Sequence, residues 1–156
     1  MYSNKKNKSA GFTLVELMIV VAIVGIISML AYPSYQGFIK SSNRSAAQAD
    51  LMSLAAAMER HKAASYSYKK AAVSGADTGS PANFHKHSPS AEPYANRKYD
   101  LLISQATGST YLIEAKPSSS SAQAGDGSLF FYSDGRRAWD KDNSGAISGA
   151  EYCWSC

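Results

Sequence analysis

The residues from Asp140 to Glu151 carry the densest chemistry in the chain: Asp140-Lys141-Asp142-Asn143-Ser144-Gly145-Ala146-Ile147-Ser148-Gly149-Ala150-Glu151. Side-chain oxygens recur at the first, third and fifth places (Asp140, Asp142, Ser144). Gly145 permits a sharp turn, Ala146 can offer its carbonyl, and Glu151 can close the ring with both oxygens. Calcium takes about six to eight hard oxygens at flexible geometry, and this spacing wraps them around one point. Ser148 suits a water-mediated ligand. The pattern nominates a structural Ca2+ site at 140–151, against the plainer reading of a surface turn rich in Asp, Asn, Ser and Gly.

The string resembles the calcium loop of EF-hands, with Ser144 where Asp or Asn is usual. An EF-hand needs a helix on both sides. Here a strand is expected before the loop and only Tyr152-Cys153-Trp154-Ser155-Cys156 follows, so the resemblance reaches the loop and not the fold. Cys153 and Cys156 are the only cysteines. In an oxidising compartment such a pair is expected to form a disulfide, a small ring whose entropic contribution is modest. A redox-active pair would open a helix in a thioredoxin-like fold, of which there is no sign. His85-Lys86-His87 places two imidazoles two residues apart with no acid or cysteine beside them, a poor metal set. No histidine and acid arrangement suggests a nucleophile triad, and an enzyme is not expected.

One further acid stands out for its setting. Glu16 lies near the start of an apolar run from Phe12 to Ala31, behind a basic leader with Lys5, Lys6 and Lys8. As a helix rising about 1.5 Å per residue, that run matches the roughly 30 Å of a hydrocarbon core. An acid inside a membrane is costly and needs a partner. A secretory cleavage site after Ala31 fails because Met29 occupies the third position before the cut.

Gly11-Phe12-Thr13-Leu14-Val15-Glu16-Leu17, after a basic leader and before an apolar run, resembles the class III signal of type IV pilins and type II secretion pseudopilins. The resemblance implies cleavage between Gly11 and Phe12 by a prepilin peptidase, with N-methylation of Phe12. It also implies an inner-membrane subunit, N-terminus in the cytoplasm, that an assembly machinery stacks with other pilin subunits into an extracellular pilus. The new Phe12 amine, cationic near neutral pH, is an expected partner for Glu16 in its own helix or a neighbour's. Calcium-stabilised C-terminal loops also occur in pseudopilins and some pilins. The Cys153 and Cys156 spacing departs from the wider staple of most pilins, and the Trp-Asp to Glu-Tyr-Cys-Trp ending most resembles minor pilins.

These sites need elements to position them. Pro33 lacks the amide hydrogen of a helix interior and is expected to bend the helix. Beyond it, Ala47, Leu51, Leu54, Ala55 and Met58 fall on one helical face, so 34–62 reads as an amphipathic half that needs a cover. Tyr99, Leu101 and Ile103 alternate, as do Tyr111, Ile113 and Ala115, and Leu129–Tyr132 and Arg136–Trp139 follow around Asp134-Gly135. Pro117 to Gly127 reads as a mobile Ser-rich link. The expected fold is α+β and pilin-like: a long bent N-terminal helix packed on a small antiparallel sheet. Its parts are a leader 1–11, a transmembrane or filament-core half 12–33, the amphipathic half 34–62, and a globular domain 63–156.

The net charge of +4 is unevenly spread. Residues 59–98 hold Arg60, Lys62, Lys69, Lys70, Lys86, Arg97 and Lys98 against Glu59, Asp77 and Glu92, whereas from residue 100 onward acids exceed bases. With Tyr66, Tyr68, Phe84, Tyr94 and Tyr99 interleaved, the basic segment suits nucleic acid, or simply a solvated surface. Three roles follow: a structural pilus subunit of the minor class, placed at priming or at the tip; a type II secretion pseudopilin; or a DNA-binding pilin serving uptake.

Overall fold

The computed structural model describes residues 12–155. The leader, with Gly11 and the expected cut, lies outside the described residues, and so does Cys156, the expected partner of Cys153. Helix α1 runs from Leu14 to Ser65 with Pro33 inside it. Pro33 therefore does not end the helix, and the expected stop at Lys62 moves by one turn. The real stop is at Tyr66, whose φ of 57° is left-handed and whose amide donates to the Lys62 carbonyl at 2.7 Å.

Two compact units divide within α1, between Phe38 and Ile39. In the first, every large apolar side chain from Phe12 to Phe38 is more than half exposed. Such a surface is compatible with lipid or with other copies and not with water. In the second, the buried residues of α1 are Ala47, Leu51, Leu54, Ala55 and Met58, the stripe that the spacing marks out. Met52, off the stripe, is exposed.

The cover is a five-stranded antiparallel meander in the order β1-β2-β3-β4-β5. Its strands are β1 (His87–Ser88), β2 (Tyr99–Ala106), β3 (Tyr111–Pro117), β4 (Leu129–Tyr132) and β5 (Arg137–Trp139). The sequence shows four of these; β1, two residues at the edge of β2, is too short to have a period. Tyr99, Leu101, Ile103, Tyr111, Ile113, Ala115 and Leu129 alternate inward and form one cluster with the helix stripe. Between β4 and β5 the tight turn at Asp134-Gly135 is present, with Gly135 at φ 87° and its amide bonded to the Tyr132 carbonyl.

The link from Pro117 to Gly127 is fastened rather than loose. Ser118 and Gln123 are buried, the Ser118 amide donates to Lys98 O at 2.9 Å, and Ser121 Oγ donates to Ser118 O at 2.9 Å. Composition suggested mobility because the partners that hold this link lie far away in sequence.

Candidate functional site

The N-terminal end of α1 holds its acid in a defined way. Thr13 is the residue before the first helical turn, and its amide and hydroxyl both donate to Glu16 Oε2 at 2.8 Å. The Glu16 amide donates back to Thr13 Oγ1 at 3.2 Å. This is a capping box, in which two orphan amides of the helix end are satisfied reciprocally. Glu16 thus has a partner inside the first turn. The sequence signal for it is Thr-x-x-Glu ahead of an apolar run, explicit in Thr13 to Glu16, and it supplies a partner besides the expected Phe12 amine.

The C-terminal loop brings three of its nominated ligands together. Carboxylate oxygens of Asp140, Asp142 and Glu151 lie within 4.8 Å of one another, close to the span of two oxygens on opposite sides of one calcium ion. Asp140 and Glu151 are buried and Asp142 is exposed. The loop's own amides hold the acids in place. Asp140 accepts from Ser144 N at 2.9 Å and Gly145 N at 3.0 Å, and Asp142 accepts from Ser144 N at 3.0 Å. Glu151 accepts from Lys141 N at 2.8 Å on one oxygen and from Ser148 N and Oγ at 2.9 and 2.8 Å on the other. Ser144 Oγ donates to the Ala146 carbonyl at 3.0 Å, so two nominated ligands face each other. Hydrogen bonds from the Ser144 hydroxyl and amide hold Asp142 below the usual carboxylate range. The Ser148 amide and hydroxyl do the same for Glu151. The donor set is all hard oxygen and fits Ca2+. Strand β5 precedes the loop and a short helical turn, Gly149–Glu151, ends it.

The basic segment forms two surface groups. Around the end of α1, Lys62 Nζ lies 4.5 Å from the centroid of the Tyr68 ring and Tyr66 is 90% exposed. None of the ion pairs among the described residues involves Arg60, Lys69, Lys70 or Lys86. Near β1, Phe84, His85, His87 and Tyr94 meet edge to face at 5.4, 6.4 and 5.4 Å, and Arg97 caps Tyr94 at 4.2 Å. A His87 ring nitrogen lies 2.8 Å from the Glu92 carbonyl oxygen. The two histidines thus serve packing, with no third ligand among the described residues.

Residues 33–128 match a family model described as the type IV minor pilin ComP, DNA uptake sequence receptor. The chain belongs to this family. Residues 6–32 match the prokaryotic N-terminal methylation motif, so the two matches adjoin at Pro33. Among curated relatives, the ComP-family chain is 47% identical over 45 residues to the type IV major alpha-pilin of Moraxella bovis, covering 29% of this chain and 28% of that one. It is 44% identical over 54 residues to the type IV major fimbrial protein FimA of Dichelobacter nodosus, covering 35% of each. It is 33% identical over 61 residues to the type II secretion system core protein G of Pectobacterium carotovorum subsp. carotovorum, covering 39% of each. The chain therefore spans well under half the length of these relatives. No solved structure matches it significantly. A pilin-like α+β arrangement, one long helix with a five-stranded antiparallel sheet, agrees with the family.

Proposed function

We propose that this chain is a minor pilin: a structural subunit held in the inner membrane by the first half of α1 and then assembled into an extracellular type IV pilus. The observation that carries the reading is the uninterrupted passage of α1 from an exposed apolar half into a half that packs on a sheet. A helix with those two environments needs lipid first and other helices later. Prepilin peptidase would cut between Gly11 and Phe12 and the new Phe12 amine would be methylated. Glu16, released from Thr13, would then set register against the Phe12 amine of an adjoining subunit. The partners are other pilins and the inner-membrane assembly machinery, and the role is structural rather than enzymatic. Deleting the gene and complementing it tests this: pilus number should fall and be restored, and the mature protein should begin at Phe12 by mass.

Two finer elements belong to the same reading. Asp140, Asp142, Ser144, Ala146 and Glu151 would hold one Ca2+, supported by the carboxylate spacing. Cys153 and Cys156 would form a local terminal staple, which mass measurement with and without reductant decides.

A second reading is favoured by the basic surface at the end of α1. Arg60, Lys62, Lys69 and Lys70 flank the exposed Tyr66 in sequence, a combination that suits a nucleic-acid backbone with a stacking aromatic, and the description of the matching family names a DNA uptake sequence receptor. Duplex binding by the detergent-solubilised protein that weakens as salt rises, and is lost in Lys69→Glu/Lys70→Glu, supports it. Equal retention of wild type and variant would remove it.

A further inference from the structure

Where α1 enters the globular unit, a single helical turn is seized by three other parts of the fold. Asn43 Nδ2 donates to Gln123 Oε1 at 3.2 Å, and Gln123 Nε2 donates back to the Lys40 carbonyl at 3.3 Å. Arg44 presents its fork to Asp126, Nε to Oδ2 at 3.0 Å and Nη2 to Oδ1 at 2.7 Å. The Tyr99 hydroxyl, from β2, donates to Asp126 Oδ2 at 2.9 Å. The Trp139 ring, from β5, has the Arg44 guanidinium carbon 3.7 Å from its centroid and donates its Nε1 to the Asp126 carbonyl at 2.8 Å. Gln123 is fully buried, and the Arg44 and Asp126 side chains are only 18% and 8% exposed.

The position of this network matters more than its size. It precedes Ala47, the first buried apolar residue of α1, and no described residue of the helix before it is buried. Apolar burial is non-directional. A bidentate ion pair and a side-chain amide bridge are directional and hold one register. A buried ion pair contributes little net stability, but its geometry is specific.

We propose that the Arg44–Asp126–Gln123 network is a mechanical clamp that fixes α1 to the sheet at residues 40–44, so that axial load on the helix enters the domain there and the rest of the core is shielded from it. The loading rests on the pilus reading; the clamp itself does not. In a subunit held by its helix, tension reaches this turn before it reaches the Leu51 and Leu54 packing. The clamp sets which part of α1 moves with the domain.

Hydrogen exchange with mass readout on the full chain in detergent tests the clamp without filaments. Asp126→Asn keeps the shape and removes the charge; Asn43→Ala removes only the tie to Gln123. The clamp predicts at least tenfold faster exchange of amides 40–47 in Asp126→Asn, a smaller acceleration of the same amides in Asn43→Ala, and unchanged β2 and β3 in both. Leu51→Ala, a packing loss, should accelerate helix and strands together. Equal acceleration of helix and strands in Asp126→Asn, or none at 40–47, overturns the clamp. Failure of the wild-type chain to enter pili would instead overturn the pilus reading and with it the axial load, leaving the clamp itself standing.

Discussion

Gly127 joins the clamp to the C-terminal loop, and its replacement separates two physical costs. Its φ is 81°, in the left-handed region, and a Cβ there would overlap the Asp140 carbonyl oxygen and approach Trp139 Nε1 at 3.5 Å. Gly125 has the same φ of 81°, but a Cβ would meet open space. Gly125→Ala should therefore cost only the left-handed backbone, about 1 kcal/mol. Gly127→Ala adds the overlap with backbone that cannot rotate away, bringing the loss to about 3–5 kcal/mol. For a unit of this size, about 3–5 °C per kcal/mol is expected, so Gly127→Ala should lower Tm by roughly 10–20 °C and Gly125→Ala by roughly 3–5 °C. Thermal unfolding of the detergent-solubilised protein, followed by tryptophan fluorescence, reads this directly because Trp139 lies beside the site. Equal shifts in the two variants would show that the contact between Gly127 and Asp140 does not hold the loop.

Other expectations follow from the same geometry. If the 140–151 loop takes calcium, chelator lowers Tm and added Ca2+ restores it, while Asp140→Ala abolishes the difference; identical melting curves would reject the site. Asp142 and Glu151 have folded pKa values depressed below their ordinary 3.8 and 4.5. Their contribution is thus full above about pH 4.5 and is lost as pH falls through the folded values, so a pH titration of Tm should decline on the acid side, less steeply in Glu151→Gln. Tyr99 moves the opposite way: burial, then the nearby Asp126 charge, raise its pKa above the ordinary 10.0. Stability should fall as pH rises past about 10, and Tyr99→Phe should flatten that limb while losing the bond to Asp126. Leu54→Ala empties a fully packed position and should cost about 2–5 kcal/mol in denaturant titration; a loss under 1 kcal/mol would place Leu54 outside the core.

Local periodicity made most of the fold legible. The stripe Ala47, Leu51, Leu54, Ala55 and Met58 and the alternating runs of β2 and β3 are readable because a buried face repeats at a fixed interval. The Asp140 to Glu151 spacing is readable because all the candidate ligands come from one short loop. The clamp was not legible: Arg44 and Asp126 are eighty-two residues apart, and nothing local in either marks the other. Gln123 looked like one polar residue in a Ser-rich link, yet it is buried because it bridges Asn43, Tyr99 and the Lys40 carbonyl. The Thr13 partnership of Glu16 is written in the sequence as a capping box, Thr-x-x-Glu, beside the more conspicuous Phe12 amine.

In the proposed pilus role, α1 exchanges lipid for neighbouring helices with Glu16 as the ordered polar contact. The most direct measurement is the amount of this subunit in sheared, washed pili, by quantitative mass spectrometry, for wild type, Thr13→Val and Glu16→Ala at equal membrane levels. The wild-type protein should be present and begin at Phe12, Thr13→Val should be reduced, and Glu16→Ala should remain in the membrane fraction at a tenth or less of the wild-type filament level, a difference of about 1.4 kcal/mol or more. Absence of the wild-type protein from pili, or incorporation of Glu16→Ala at the wild-type level, would contradict the account.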